Sequence, residues 1–307
     1  MITVRLKGGM GNQMFQYAFA RAVAERNHDE VTLDLAPLLD RTPRPDFVFR
    51  GYDLDIYNID ARLTFFSRCA LRFPMPILWA GASVITTFIK RIFGMQQFLR
   101  ETDDFAVSSM EALPHGGNIY LDGAWQNEIY FTAIAPRLRR EFNLRAPLSE
   151  RARQLEAEIR YGESVGINVR RGDFVTVQRS IQKHGFVGVE YYHRAMRAIT
   201  ERLGNPASLH IYISSDEIDW CREHLTFPGM AVTYIGREYA GKKFGEYLHL
   251  LAACNHFIIP NSTFAWWAAW LGNDPKKIVI APAQWDRVLT ARSQSIVPAG
   301  WVRLENN

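Results

Sequence analysis

The sequence lacks the features of a scaffold held together by covalent or metal cross-links. Its 307 residues include three cysteines, Cys69, Cys221 and Cys254, which are far apart and never form a C-x-x-C pair. Neither a disulfide framework nor a structural zinc site is indicated. No run of five basic residues occurs, and at a formal net charge of +4 a solvated basic surface outweighs a nucleic-acid stripe, so no nucleic-acid partner is expected. Internal repeats and low-complexity segments are absent. No charged, apolar, small-residue leader precedes the strand pattern at Ile2 to Leu6, and a reducing, cytoplasmic location is expected. The uncharged stretch Phe73 to Ile89 is short for a membrane span, carries Pro74 and Pro76, and reads as a buried helix. Its flanks, Arg68, Arg72, Lys90 and Arg91, leave peripheral contact with the inner face of a membrane as the alternative.

What is present is an ordinary globular composition, 48% hydrophobic and 22% charged, which excludes disorder. Short β-branched and aromatic runs recur between helix-length segments: Ile2–Leu6, Val31–Leu35, Asn118–Leu121, Val165–Val169, Leu209–Ser214, Val232–Ile235, His256–Ile259 and Lys277–Ala281. That alternation predicts an α/β protein with parallel sheets. A seam at "NLRAPLSERAR", with a Pro, a polar cluster and Ser149 as a helix cap, divides the chain into 1–148 and 149–307, and the tail after 282 could pack on either half.

Three segments carry chemistry. The loop Lys7-Gly8-Gly9-Met10-Gly11-Asn12-Gln13 stands between the first strand and an amphipathic helix, where bare backbone and free helix N–H groups suit an anion or a sugar oxygen. The bland reading is a tight turn. A dinucleotide fingerprint fails because its third glycine falls at Met14. The second segment, "GINVRRGDF", ends an apolar strand in Arg170-Arg171-Gly172-Asp173. Strand carboxyl ends are where open α/β sheets bind ligands, and arginine grips phosphate in two-pronged fashion and neutralises a departing diphosphate without a metal. Alone, the same residues read as a surface ion pair. The third, "HFIIPNSTFAWWAAWLG", offers Asn261, Ser262 and Thr263 as caps and phosphate ligands, with Trp266, Trp267 and Trp270 in the core; capping alone would also explain it.

Three motifs in this order and spacing, "GGMGNQMFQYAFARA", "NVRRGDF" and "NSTFAWWAAWL", resemble the bacterial-type α-1,2-fucosyltransferase family. "YLDGAWQNEIYF", "HGFVGVEYYHRAM" and "IYISSDEIDWC" extend the likeness across most of the chain outside residues 40–110. The resemblance implies two Rossmann-like halves facing a cleft, a GT-B-like architecture, with an acceptor-side N-terminal domain and a donor-binding C-terminal domain. It implies GDP-L-fucose as donor, no cofactor, and a galactose-containing glycan as acceptor in surface glycan synthesis. Transfer would invert the anomeric carbon and form an α-1,2 linkage. Arg170 is expected on the β-phosphate with Arg171 beside it. Gly9, Gly11, Asn168, Asp216, Glu246, Asn261, Ser262 and Thr263 are expected around the donor, and Asn12 at the fucose and acceptor. Gln13, His184 and Glu190 are expected on the acceptor side, with Asp173, His184 and Glu190 as alternatives for a base.

The chain departs from the family pattern at two places. Asn168 stands where the arginine motif usually begins with histidine, and Tyr247, beside Glu246, stands where an acidic residue is usual. Two strings are decoys. Asp53-Leu54-Asp55 matches a metal-binding D-x-D, but arginines and helix termini already supply positive charge, and no metal is assigned. Gly162-Glu163-Ser164-Val165-Gly166 matches a hydrolase elbow, but its serine precedes the strand. The remaining rivals are fucosyl transfer with another linkage and a non-catalytic nucleotide- or carbohydrate-binding module.

Overall fold

The computed structural model describes residues 1–43, 48–72, 97–102, 116–172, 182, 185, 187–204, 206, 208–287 and 290–306. Asp173, His184 and the apolar stretch 73–89 lie outside them. The chain forms two compact units, Met1–Asn143 and Leu144–Asn307. The break falls at the first bond of the seam, five residues before the expected boundary, and the backbone N–H of Asn58 donates to the carbonyl of Asn143, which ties that residue to the first unit.

The first unit is a five-stranded, wholly parallel sheet made of β1 (Ile2–Arg5), β2 (Val31–Asp34), β3 (Arg62–Leu63), β4 (Gln97–Arg100) and β5 (Ile119–Asp122), in the order β3-β2-β1-β5-β4. Its helices are α1 (Met10–Asn27), α2 (Ala36–Leu39), α3 (Phe65–Arg72) and α4 (Ala135–Glu141). The expected amphipathic α1 is buried on nearly every side, Gln13, Gln16 and Arg21 included. Its polar groups are absorbed individually, as where Gln16 Oε1 accepts from the Lys7 amide at 3.0 Å. Phe15, Tyr17 and Phe19 pack from this helix onto Phe131, Phe142 and Trp125 respectively.

The second unit is a six-stranded parallel sheet of β6 (Ser164–Val169), β7 (His210–Ser215), β8 (Ala231–Ile235), β9 (His256–Ile258), β10 (Val279–Pro282) and β11 (Val302–Leu304), in the order β11-β10-β9-β6-β7-β8. The helices are α5 (Glu150–Tyr161), α6 (Val189–Arg202), α7 (Ile218–His224), α8 (Gly245–Ala252), α9 (Thr263–Leu271) and α10 (Ala291–Ser295). From β6 the chain steps outward through β7 and β8, then returns to β9 on the other side, which is the doubly wound order of a Rossmann fold. All six residues of β6 are buried, as a central parallel strand covered by helices on both faces requires. Ser149 caps α5, accepting from the Ala152 amide at 3.3 Å. The tail after 282 belongs to this unit, because β11 pairs with β10.

All eight strands expected from the sequence form. The two-residue β3, the four-residue β4 and the three-residue β11 were not expected: β3 and β11 are too short to carry an alternation signal, and β4, an edge strand, begins and ends on exposed polar residues, Gln97 and Arg100. The three tryptophans of α9 are in the core, with Trp266 and Trp267 fully buried and the Trp266 indole donating to the Ile296 carbonyl at 2.8 Å. Among the described residues no helix is long and apolar enough to cross a membrane.

Candidate active site

In the second sheet the order of strands reverses at one point, and a crevice opens there at the carboxyl ends. In the second unit that point lies between β6 and β9, and the strand register places residues around it. Val169 of β6 stands beside Ser215 of β7, so the next residues, Arg170 and Asp216, leave the sheet side by side. Their side chains form an ion pair at 2.6 Å, each about a quarter exposed. On the other flank Ile167 pairs with Ile258, so Asn261 stands as far along the chain from its paired residue as Arg170 does from Ile167. Sequence spacing marked both turns, and the register sets them on adjoining strands of one sheet.

The two arginines are held differently. Arg171 donates from Nε to Glu217 at 3.1 Å and its guanidinium carbon lies over the Trp220 ring, 3.7 Å from its centroid, while its backbone N–H donates to Asp216 Oδ1 at 3.0 Å. Its guanidinium is thereby held against α7. Asp216, expected as a donor contact, is the carboxylate that orients Arg170 and the Arg171 backbone; as an anion it would repel a diphosphate. This orienting group was missed because its role depends on the pairing of β6 with β7, residues 46 apart in the chain.

Asn168 is buried, and its Nδ2 donates to the carbonyl and hydroxyl oxygens of Ser214 at 3.3 and 3.0 Å, which leaves Oδ1 as its acceptor. Asn261 Nδ2 donates to the Trp285 carbonyl at 3.0 Å. Ser262 occupies the cap position of α9, yet its side chain makes no capping hydrogen bond. The expected hydroxyl cap is therefore absent, and the first-turn amides of a nine-residue helix keep their N–H groups for another partner. Thr263 begins the helix.

The two carboxylate oxygens of Glu246 accept from the Ser149 amide and hydroxyl at 3.0 and 2.7 Å, tying α8 to the cap of α5, a role the sequence did not suggest. Its neighbour Tyr247 is buried, and burial, reinforced by Glu238, pushes its phenol up to about 12. Glu190 is exposed in the first turn of α6.

In the first unit the strand order jumps, without reversing, between the neighbours β1 and β5, and the loops leaving their carboxyl ends flank the corresponding crevice. Gly8 adopts φ +79°, and a Cβ there would collide with Asn12 Nδ2, so this position needs glycine. Gly9, at φ −77° and with open space around it, and Gly11, inside α1, do not need the left-handed freedom expected of the loop. Asn12 Oδ1 accepts from Gln126 Nε2 at 2.8 Å across the crevice. Gln13 is fully buried; its Nε2 donates to the carbonyls of Gly8 and Gly51 at 2.9 and 2.8 Å, and its Oε1 accepts from the Asp53 amide at 2.9 Å. It pins the 51–53 segment to the loop, a role the sequence did not suggest. Asp53 of the D-x-D string is bound up in that clamp. Asp122 at the end of β5 pairs with Lys7 at 3.0 Å and Arg5 at 3.2 Å. Ser164 lies at the opposite, amino edge of its sheet, donating to Asn255 at 2.7 Å.

A model of glycosyl transferase family 11 matches residues 88–305. Alpha-1,2-colitosyltransferase of Escherichia coli is 31% identical over 310 residues, 99% of either chain. Galactoside 2-alpha-L-fucosyltransferase Sec1 of Mus musculus is 25% identical over 276 residues, 88% of this chain and 64% of that one. In fold the chain is similar to fucosyltransferase NodZ from Bradyrhizobium, with a TM-score of 0.51 and 19% identity over 91% of this chain and 94% of that one. The NodZ α-1,6-fucosyltransferase structure soaked with GDP-fucose gives a TM-score of 0.50 at 18% identity with the same coverage.

Proposed function

The chain belongs to glycosyl transferase family 11, and from that premise we propose that it transfers L-fucose from GDP-L-fucose to the 2-hydroxyl of a galactoside, with inversion, in surface glycan synthesis. The observation that carries the reading is the crevice of the second unit, where Arg170, oriented by Asp216 at 2.6 Å, leaves one strand and the uncapped start of α9 follows the adjoining strand.

As the bond between the anomeric carbon and the β-phosphate oxygen breaks, negative charge collects on the departing diphosphate. A guanidinium already fixed by a carboxylate, together with helix N–H groups, stabilises that charge with little reorganisation. No metal is required for this step. Guanine presents N–H donors at N1 and N2, which suits Asn168 Oδ1, because the Nδ2 of the same residue is committed to Ser214. The acceptor hydroxyl attacks the opposite face of the anomeric carbon, so a β-linked donor yields an α-linked product, and its proton passes to Asp173, His184 or Glu190. The first unit, with Asn12, serves the acceptor.

The 31% identity to a colitosyltransferase favours one second reading, in which the sugar moved is colitose, the 3-deoxy counterpart of L-fucose. Steady-state turnover of GDP-fucose and GDP-colitose over a panel of β-galactosides tests both. Higher kcat/KM with GDP-fucose supports the first, and higher kcat/KM with GDP-colitose the second. Tight GDP binding without transfer to any member of the panel would overturn both in favour of a binding module.

A further inference from the structure

The chain leaving β5 is bent at an energetic cost. Trp125 is fully buried with φ +55°, a left-handed conformation that bulky side chains rarely adopt and that marks functional sites more often than ordinary turns. Three neighbours hold it there. Its ring stacks on Phe19 of α1 at 4.0 Å and 9°. The Glu101 carboxylate accepts from the backbone amides of Trp125 and Ala124 at 3.0 and 2.5 Å. Gly123 leaves room for both, since a Cβ there would stand 2.5 Å from Glu101 Cβ and from the indole.

The product of this bend is the position of Gln126. Its Nε2 reaches Asn12 Oδ1 at 2.8 Å, and Asn12 is itself held close against the bare Cα of Gly8. Both residues are partly exposed. Their contact uses the Asn12 oxygen and the Gln126 nitrogen, so the Asn12 NH₂ and the Gln126 C=O are the polar ends outside that bond, on linked amides from the loops that follow β1 and β5. A donor and an acceptor on two hydrogen-bonded amides complement a vicinal diol, in which one hydroxyl accepts while the next donates. An isolated phosphate or carboxylate would use the NH₂ and be repelled by the C=O.

Resting on the reading that the first unit serves the acceptor, we propose that Gln126 is a specificity-determining residue that, with Asn12, reads the 3,4-diol of the galactoside beside the attacking 2-hydroxyl. Glu101 and Trp125 are positioning residues for it.

The test compares wild type, Gln126→Ala and the isosteric Gln126→Glu with three acceptors: a β-galactoside and its 3-deoxy and 4-deoxy analogues. Thermal melts check the fold of each variant, and calorimetry with GDP checks the donor site. The expected result is a fall of about tenfold or more in acceptor kcat/KM for Gln126→Ala, carried mainly by KM, with GDP affinity unchanged. At least one deoxy analogue should carry a similar penalty with wild type, and that penalty should vanish with the variant. A deoxy penalty of equal size in wild type and both variants would overturn the proposal, as would equal losses in GDP affinity and acceptor kcat/KM. Failure of the wild type to transfer to any galactoside would instead bring down the functional reading, and this proposal with it.

Discussion

At the scale of single residues the account turns on the difference between Arg170 and Arg171. Lysine keeps the charge of arginine but not its planar fork. Arg170→Lys should therefore lower kcat by about a hundredfold or more, the roughly 3 kcal/mol of one preorganised donor, with a smaller effect on GDP affinity. Arg171→Lys should be milder, because that guanidinium lies over Trp220 and is paired with Glu217. Pre-steady-state kinetics on the two variants separates chemistry from binding, and a reversed order would mean that Arg171 carries the diphosphate. Asp216→Asn should resemble Arg170→Lys in kcat, since it removes the charge that aims Arg170. The arginine pair was legible in the sequence because it sits where an apolar run meets charge. Its partner was not, since Asp216 lies on a different strand and its role comes from register. The contacts of Gln13 and Glu246 within the protein were not legible for the related reason that a polar side chain near a motif says nothing about which way it faces.

At the scale of elements, the carboxyl edges of the two sheets are maintained by polar contacts that periodicity does not reveal. Asp122 shows how one such contact responds to pH. Burial alone would raise its carboxyl, but hydrogen bonds and charge from Lys7 and Arg5 outweigh it and hold the group below its ordinary value. A carboxyl depressed in the folded state contributes stability above the unfolded carboxylate pKa and loses it as pH falls through the folded value. The difference in melting temperature between wild type and Asp122→Asn should accordingly be larger at pH 7 than at about pH 3, below the unfolded value near 3.9; equal differences at both would mean the pairs are inert. At the other end of α9, Lys277 Nζ donates to the carbonyls of Ala269, Trp270 and Gly272 at 2.8, 3.3 and 2.7 Å. Lys277→Met should cost about 2 kcal/mol in urea titration, the range for hydrogen bonds from a charged group. Alternation of strand and helix patterns was enough to anticipate eight parallel strands, because buried central strands are continuous apolar runs. Short edge strands such as β3 and β11 exist only by pairing with a neighbour.

At the scale of the whole molecule, the proposed function divides the work between two α/β units, the second supplying fixed positive charge for a departing nucleotide and the first supplying amides for a sugar. If Arg170 and the α9 amides provide the charge stabilisation as proposed, turnover should persist in excess chelator; complete loss, restored by manganese or magnesium, would return Asp53 and Asp55 to consideration. The most direct test of the central claim is the NMR structure of the product formed from GDP-L-fucose and a β-galactoside. The account predicts one α-anomeric fucosyl residue attached at the galactose 2-oxygen, and a β-anomer or attachment at any other position would contradict it.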